Sequence, residues 1–303
     1  MRSCEVLIVG AGPAGLTTAI YTGRSGRDTI VLEKEVPGGL VATTDEIENY
    51  PGFLNIGGAE LSQQFVQHAQ QFGAEIISDA AESIRKDGDH HVIVGKKDTY
   101  HARAVVIASG SAPRKLNVAG EERLAGSGVS YCATCDGAFF EGREVACVGG
   151  GDAAVGEAAY LTRFANRVHL IHRRDQLRAV QAVQERVMNN DNVDFVWNTV
   201  VEEIIGDAMV EGLKLRDVKT DETRILPVDG VFIYIGHRPA TEFVEGEVDL
   251  TEQGEVITDS EMQTSVPGVF AVGDVRPRIQ KQIATSVGDG ATAGMSIEHY
   301  LSD

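Results

Sequence analysis

Val6-Leu7-Ile8-Val9-Gly10-Ala11-Gly12-Pro13-Ala14-Gly15 runs from four consecutive apolar residues straight into a glycine-rich turn. The apolar run predicts a strand buried on both faces, and Leu16, Ala19, Ile20 and Gly23 continue at helical spacing. Thr29-Ile30-Val31-Leu32 reads as a second buried strand that ends at Glu33. Strand, glycine turn, helix and strand together make a βαβ unit of dinucleotide-binding type. Its glycines allow the tight turn and let backbone N–H groups approach a pyrophosphate at the helix N-terminus. Glu33, 23 residues after Gly10, stands where a carboxylate accepts ribose hydroxyls. A carboxylate there repels a 2′-phosphate, so this turn suits FAD or NAD and not NADP.

The same plan recurs in the middle of the chain. Glu144-Val145-Ala146-Cys147-Val148 predicts a strand, Gly149-Gly150-Gly151-Asp152-Ala153-Ala154 a second glycine turn, and a helix follows to about Phe164. The next strand, Val168-His169-Leu170-Ile171, ends at a cationic cluster, His172-Arg173-Arg174, with Arg178 one helical turn further on. Arginines at the place that reads the ribose pair bidentately with a 2′-phosphate. This unit is therefore expected to take NADPH, through Gly149, Gly151, Asp152, Ala153, His172, Arg173, Arg174 and Arg178.

Between the two units lies Cys132-Ala133-Thr134-Cys135-Asp136-Gly137, two thiols three residues apart with a carboxylate beside the second. A pair at this spacing can close into a disulfide and reopen, and its thiolate attacks other disulfides. As a staple it is weak, since closing so short a loop contributes only about 2 kcal/mol in the chain-entropy model. As half of a zinc site it lacks partners, because Cys4 and Cys147 both sit inside apolar strand-like runs and no second paired motif exists. Redox chemistry is expected and no metal.

The remaining segments set the frame around these motifs. Pro37-Gly38-Gly39, Thr43-Thr44 and Glu48-Asn49-Tyr50-Pro51-Gly52 form a loop-rich stretch that suits close approach to a ligand or a plain surface turn. Residues 59–72 carry apolar positions at helical spacing. Short strands are expected near 74–77, 83–85 and 91–94, with Asp87-Gly88 as a hairpin turn and His90, His91 and His101 as exposed strand residues. Val105-Val106-Ile107-Ala108 is another buried strand. Further strands are expected at 193–197, 200–205, 209–215 and 231–235, and His237 receives no role. Val269-Phe270-Ala271-Val272 ends in Gly273-Asp274, which suits contact with a polyol or an ordinary turn. A helix over 282–301 is expected to be interrupted by Gly288, Gly290 and Gly294.

A chain of 303 residues is long enough for two domains and holds no run of about 18 apolar residues that would span a membrane. Its N-terminus passes quickly into a strand, which predicts a soluble, cytoplasmic protein. A formal charge of −18, from 45 acidic and 27 basic residues, repels nucleic acid and anionic membranes.

In their order and spacing these motifs resemble the low-molecular-weight thioredoxin reductases of bacteria and archaea. The resemblance rests on the first glycine turn, Glu-Asn-Tyr-Pro-Gly at 48–52, Cys-Ala-Thr-Cys-Asp at 132–136, Gly-Gly-Gly-Asp at 149–152, His-Arg-Arg at 172–174 and Gly-Asp at 273–274. It implies an α/β fold of two Rossmann-like, three-layer nucleotide-binding domains. The FAD domain would comprise 1–115 and 245–303, and the NADPH domain, 116–244, would be inserted into it and carry the cysteines. It further implies a homodimer that passes electrons from NADPH through FAD to the Cys132–Cys135 disulfide and on to a thioredoxin-like protein.

Under the resemblance Cys135 faces the flavin, Cys132 is the interchange thiol and Asp136 manages their protons. The FAD site would include Gly10, Gly12, Pro13, Ala14, Gly15, Glu33, Gly39, Asn49, Gly273, Asp274, Gln282, Ile283 and Ala284. Leu40, Ser109, Lys281 and Gly156 depart from the family's usual residues. Two other readings stand beside this one. The first is a flavoprotein reductase of another thiol protein, peroxiredoxin or glutaredoxin-like. The peroxiredoxin-reducing type normally carries an extra N-terminal portion, whereas here the glycine turn starts at residue 10. The second is a non-catalytic flavin redox sensor.

Only 8 of the 27 cations are lysine. An acid-rich, lysine-poor surface fits a halophilic setting, where salt screens the self-repulsion, and stands beside the plainer reading of an ordinary acidic cytosolic protein. The thermal unfolding midpoint is expected to rise between dilute buffer and molar KCl, and a flat or falling midpoint would refute the saline reading.

Overall fold

A computed structural model describes residues 1–278 and 281–302. In chain order β1 (Arg2–Val9), α1 (Pro13–Arg24), β2 (Thr29–Glu33), α2 (Gly58–Gln71), β3 (Glu75–Ser78), β4 (Ala81–Asp87), β5 (His90–Gly95) and β6 (Thr99–Ile107) lead to a short β7 (Ser111–Pro113). There follow β8 (Val129–Ser130), α3 (Ala133–Asp136), β9 (Glu144–Gly149), α4 (Asp152–Leu161), β10 (Arg167–Ile171), α5 (Gln181–Met188) and β11 (Val193–Val196). The chain ends with β12 (Thr199–Ile205), β13 (Gly212–Asp217), β14 (Thr223–Leu226), β15 (Gly230–Tyr234), β16 (His237–Pro239), β17 (Val269–Ala271) and α6 (Ile283–Ser302).

Two compact units result, Met1–Ala112 with Arg238–Asp303, and Pro113–His237. The chain passes between them twice.

In the first unit the strand order is β3-β2-β1-β6-β5-β4, with β17 also beside β6. β1, β2, β3, β6 and β17 run parallel, while β4 and β5 form an antiparallel hairpin. The nine residues of β6 serve three neighbours: β1 pairs along nearly the whole strand, while His101 and Tyr100 also pair with β5, and Val105 to Ile107 also pair with β17. Side chains on a strand alternate faces. Val6 and Ile8 therefore pack with Leu16, Ala19 and Ala293 of the helices, while Leu7 packs on the other face with Val105, Val244 and Val256. A strand covered on both faces reads as an unbroken apolar run, which is why β1, β2 and β6 were legible.

The second unit repeats the arrangement. Its parallel sheet runs β11-β10-β9-β15-β8, with α4 on one face and the antiparallel β12-β13-β14 sheet on the other. Cys147 and Phe232 belong to the helix-side core, and Ala146, Val231 and Ile233 to the core under the three-stranded sheet.

Two sequence expectations are revised, and a strand with little sequence signal is added. α6 is one continuous helix of 20 residues, not an interrupted one. Its three glycines cost about 1 kcal/mol each relative to alanine, yet two of them let α6 lie against α1. A Cβ added at Gly290 would fall 2.4 Å from the Ala14 carbonyl oxygen, and one at Gly294 would fall 2.4 Å from the Tyr21 Cβ. His91 is buried, with burial pushing its pKa down and a hydrogen bond to the Pro267 backbone opposing this. β14, whose Thr223-Arg224-Ile225-Leu226 has three exposed members, carries little apolar alternation and was not expected.

Packing at Gly290 and open space at Gly288 give opposite expectations for one substitution. Gly288→Ala should raise stability by about 1 kcal/mol, since nothing lies within 4 Å of the added methyl. Gly290→Ala should lower it by about 1–3 kcal/mol through overpacking. Urea midpoints that move in the same direction for both would contradict this helix contact.

Candidate active site

The sulfur pair is assembled from the end of β8 and a single helical turn. Cys132 and Cys135 form a disulfide, with Cα atoms 5.3 Å apart. Cys132 caps α3: its Sγ accepts the Cys135 N–H at 3.2 Å and lies 3.4 Å from Thr134 Oγ1. Cys135 is exposed and Cys132 partly so, whereas Ala133 between them is fully buried.

Two hydroxyls hold this turn. Ser130 Oγ accepts the Cys132 N–H at 3.0 Å and donates to Asp136 Oδ2 at 2.6 Å, which ties the carboxylate to the backbone of the first cysteine. Tyr234 Oη accepts the Ala133 N–H at 2.7 Å. The other two cysteines take no part. Burial pushes the Cys4 thiol up to about 12, and complete burial, with Glu157 adding to it, pushes Cys147 well above its ordinary value. Both stay protonated at neutral pH, and a protonated thiol is a poor nucleophile.

In the same unit the second glycine turn connects β9 to α4. Gly149 has φ +153°, and a Cβ there would lie 2.4 Å from the Tyr234 carbonyl oxygen, so only glycine fits. Gly151 precedes α4 with no side chain capping the helix and with nothing within 4 Å of an added Cβ. A helix start without a side-chain cap, with room beside its preceding glycine, is an arrangement that fits a pyrophosphate.

The segment after β10 is laced onto this turn. Arg178 and Ala179 N–H groups donate to the Gly150 carbonyl at 2.6 and 3.2 Å, and Val180 N–H donates to Asp152 Oδ1 at 2.7 Å. Arg173, Arg174 and Arg178 are exposed here. Ala153 lies in the first turn of α4 and is also exposed. His172 differs from the arginines: its ring is buried 2.4 Å from where a Gly150 Cβ would sit, and burial followed by Arg178, Arg174 and Arg173 pushes its pKa down.

The first unit brings together the residues named for its own glycine turn. Gly10 has φ +110°, and an added Cβ would lie 2.3 Å from the Ala108 carbonyl oxygen. Gly12 precedes α1, which begins at Pro13 without a side-chain cap, and nothing lies within 4 Å of an added Cβ. Gly15 presses on the Gly10 carbonyl, and Glu33, at the end of β2, accepts the Ala11 N–H at 2.8 Å.

Two glycines distant in sequence pack against the same turn. Gly39 would place a Cβ 3.3 Å from Gly12 Cα, and Gly273 one 2.9 Å from Ala14 Cβ. Asn49 Nδ2 donates to Gln282 Oε1 at 3.0 Å, across 233 residues of sequence, and Ile283 and Ala284 open α6 next to it. Asp274 Oδ1 accepts from Ser286 Oγ.

Some residues that build these turns carry no sequence signal. Asp289, in the middle of α6, accepts the Gly273 N–H at 2.9 Å together with Arg276 and Arg278, and so fixes the Gly-Asp turn. Arg278 keeps Nε and Nη1 buried without a partner among the described residues, donors suited to an anion. Ser130 and Tyr234 likewise carry no sequence signal, because a hydroxyl's role depends on the partner that folding brings to it. The departures from the family pattern have their own contacts. Ser109 Oγ donates to the Ala240 carbonyl at 2.7 Å, and Lys281 Nζ reaches Glu255 Oε1 at 3.1 Å and the Asp274 carbonyl at 3.0 Å. Leu40 is 45% exposed, and Gly156 has open space around it.

A family model described as pyridine nucleotide-disulphide oxidoreductase matches residues 4–290. The thioredoxin reductases of Listeria monocytogenes and Bacillus subtilis are 48% and 45% identical over 99% of this chain, covering 94% and 95% of their own lengths. The chain belongs to this family, in its thioredoxin reductase branch.

Solved structures agree. Lactococcus lactis thioredoxin reductase matches with a TM-score of 0.95 at 43% identity over 99% of both chains. The T. acidophilum thioredoxin reductase gives 0.93 at 38% over the whole of both chains. The enzyme is thus an FAD-containing oxidoreductase that takes electrons from NADPH and acts on a disulfide. Among the described residues no cluster of three or more His, Cys, Asp or Glu could hold a metal ion, and no helix is long and apolar enough to cross a membrane.

Proposed function

We propose that this chain reduces the disulfide of a thioredoxin-like small protein in the cytoplasm, and that it works as a homodimer. The observation that carries the reading is the Cys132–Cys135 disulfide, with Cys135 exposed, in the same unit as a glycine turn bordered by three arginines. FAD would be held by Gly10, Gly12, Pro13, Ala14, Gly15, Glu33, Gly39, Asn49, Gly273, Asp274, Gln282, Ile283 and Ala284. The residues around Gly151 would hold NADPH: Gly149, Asp152, Ala153, His172, Arg173, Arg174 and Arg178. When bound, FAD supplies a two-electron relay between the nicotinamide and the cysteine pair.

Once the pair is reduced, the chemistry belongs to the chain's own side chains. The Cys132 thiolate attacks one sulfur of the acceptor disulfide, forming a mixed disulfide, and the other acceptor sulfur leaves as a thiolate and takes up a proton. Cys135, having given up its proton, then attacks Cys132 Sγ, which re-forms the internal disulfide and expels the second acceptor sulfur. Asp136, held by Ser130 beside the pair, is the group positioned to carry the proton between Cys135 and the departing thiolate. Cys132 suits the attacking role because the Cys135 N–H points at its sulfur and favours the charged form.

Replacing Arg173, Arg174 and Arg178 together by alanine removes charge-assisted hydrogen bonds worth about 1.5–3 kcal/mol each. KM for NADPH should rise at least about 100-fold, with KM for NADH little changed. An equal loss for both nucleotides, or for neither, would overturn the assignment. Light scattering on the parent protein should give twice the 32.5 kDa chain mass, and a monomer mass would refute the dimer.

A further inference from the structure

Ala133 is the least accessible residue of the sulfur-bearing turn, fully buried between a partly exposed and an exposed cysteine. A buried N–H needs a partner, since leaving it unpaired costs about 1–3 kcal/mol. The partner is supplied from 101 residues away: Tyr234 Oη at 2.7 Å. Tyr234 is the last residue of β15, which pairs with β9 on one side and with β8, the strand feeding the cysteines, on the other. Its backbone is fixed as well, because its carbonyl lies against Gly149. The phenol is thus held from a central strand, and it reaches the redox turn.

The bond falls at a sensitive place. Ser130 fixes the Cys132 N–H and Tyr234 fixes the next N–H along, so the backbone from Cys132 to Ala133 has both donors anchored. The direction of the Cys135 N–H toward Cys132 Sγ follows from that backbone. Around the phenol stand Glu157 of α4, Cys147 of β9 and Asp136 of α3. Burial first, and then Glu157 and Cys147, push the Tyr234 pKa up, which keeps the hydroxyl neutral.

We propose that Tyr234 is a positioning residue for the Cys132–Cys135 couple: its hydroxyl anchors the Ala133 amide, keeping the Cys135 N–H on Cys132 Sγ when the disulfide opens. Cys132 is thereby held as a thiolate ready to attack. The inference rests on the reading of Cys132 as the interchange thiol, but its test needs no protein acceptor.

The comparison is between Cys135→Ser and Cys135→Ser/Tyr234→Phe, both as full-length flavin-loaded protein, with the rate of Cys132 alkylation by iodoacetamide measured against pH. Tyr234→Phe keeps the ring and deletes only the oxygen. The titration midpoint should move up in the double variant, and alkylation at a pH below both midpoints should slow about tenfold, the loss of one hydrogen bond to a charged sulfur. A change in folding stability alone would leave the midpoint in place. Superimposable pH profiles would overturn the proposal. If the double variant does not load flavin, amide exchange at Ala133 in the parent protein decides: strong protection supports the anchor, and exchange at the rate of an open peptide overturns it.

Discussion

A reactive sulfur pair has to meet another protein while the backbone that carries it stays fixed. The hydrogen bonds around α3 meet both demands. The turn has only four residues and could not hold its shape alone. Ser130, at the end of β8, and Tyr234, at the end of β15, anchor it to adjacent strands of one parallel sheet. Cys135 is left exposed and Cys132, the sulfur proposed to meet the acceptor, partly so, while Ala133 lies inward as part of a buried, hydrogen-bonded floor.

The two glycine turns follow one rule and differ in one charge. In each, a glycine with positive φ lets the chain double back against a neighbouring carbonyl, Ala108 for Gly10 and Tyr234 for Gly149. In each, the following helix starts without a side-chain cap, and a Cβ added at the glycine before it would meet nothing within 4 Å. What separates them is the end of the next strand. Glu33 sits beneath the first turn on the Ala11 amide. Beside the second turn the Arg178 amide is bonded to Gly150, and exposed guanidinium groups surround it. A carboxylate and a phosphate repel, whereas a guanidinium and a phosphate pair, so one fold can separate two nucleotides by charge.

The sequence was most informative where one physical demand dominates several neighbouring residues. Strands covered on both faces must be apolar throughout, and so β1, β2, β6, β9 and β10 could be read directly. A glycine turn between strand and helix, and two cysteines at one-turn spacing, were equally plain. β14 was not, because three of its four residues face solvent. Gly290 and Gly294 looked like helix breakers because their reason lies in α1, far away in sequence. Asp289, Ser130 and Tyr234 were invisible for the same cause: each acts through a partner that only folding supplies. His172 was grouped with its arginine neighbours by charge, yet its ring lies buried beneath Gly150.

The central claim is that electrons leave this chain through the sulfur atoms of Cys132 and Cys135 and by no other route. Cys132→Ser and Cys135→Ser variants, each loaded with FAD and mixed anaerobically with NADPH, test it most directly. The yellow absorbance should bleach as in the parent, while reduction of a thioredoxin disulfide should fall to background in both. A variant that still reduced the thioredoxin at the parental rate would contradict the account.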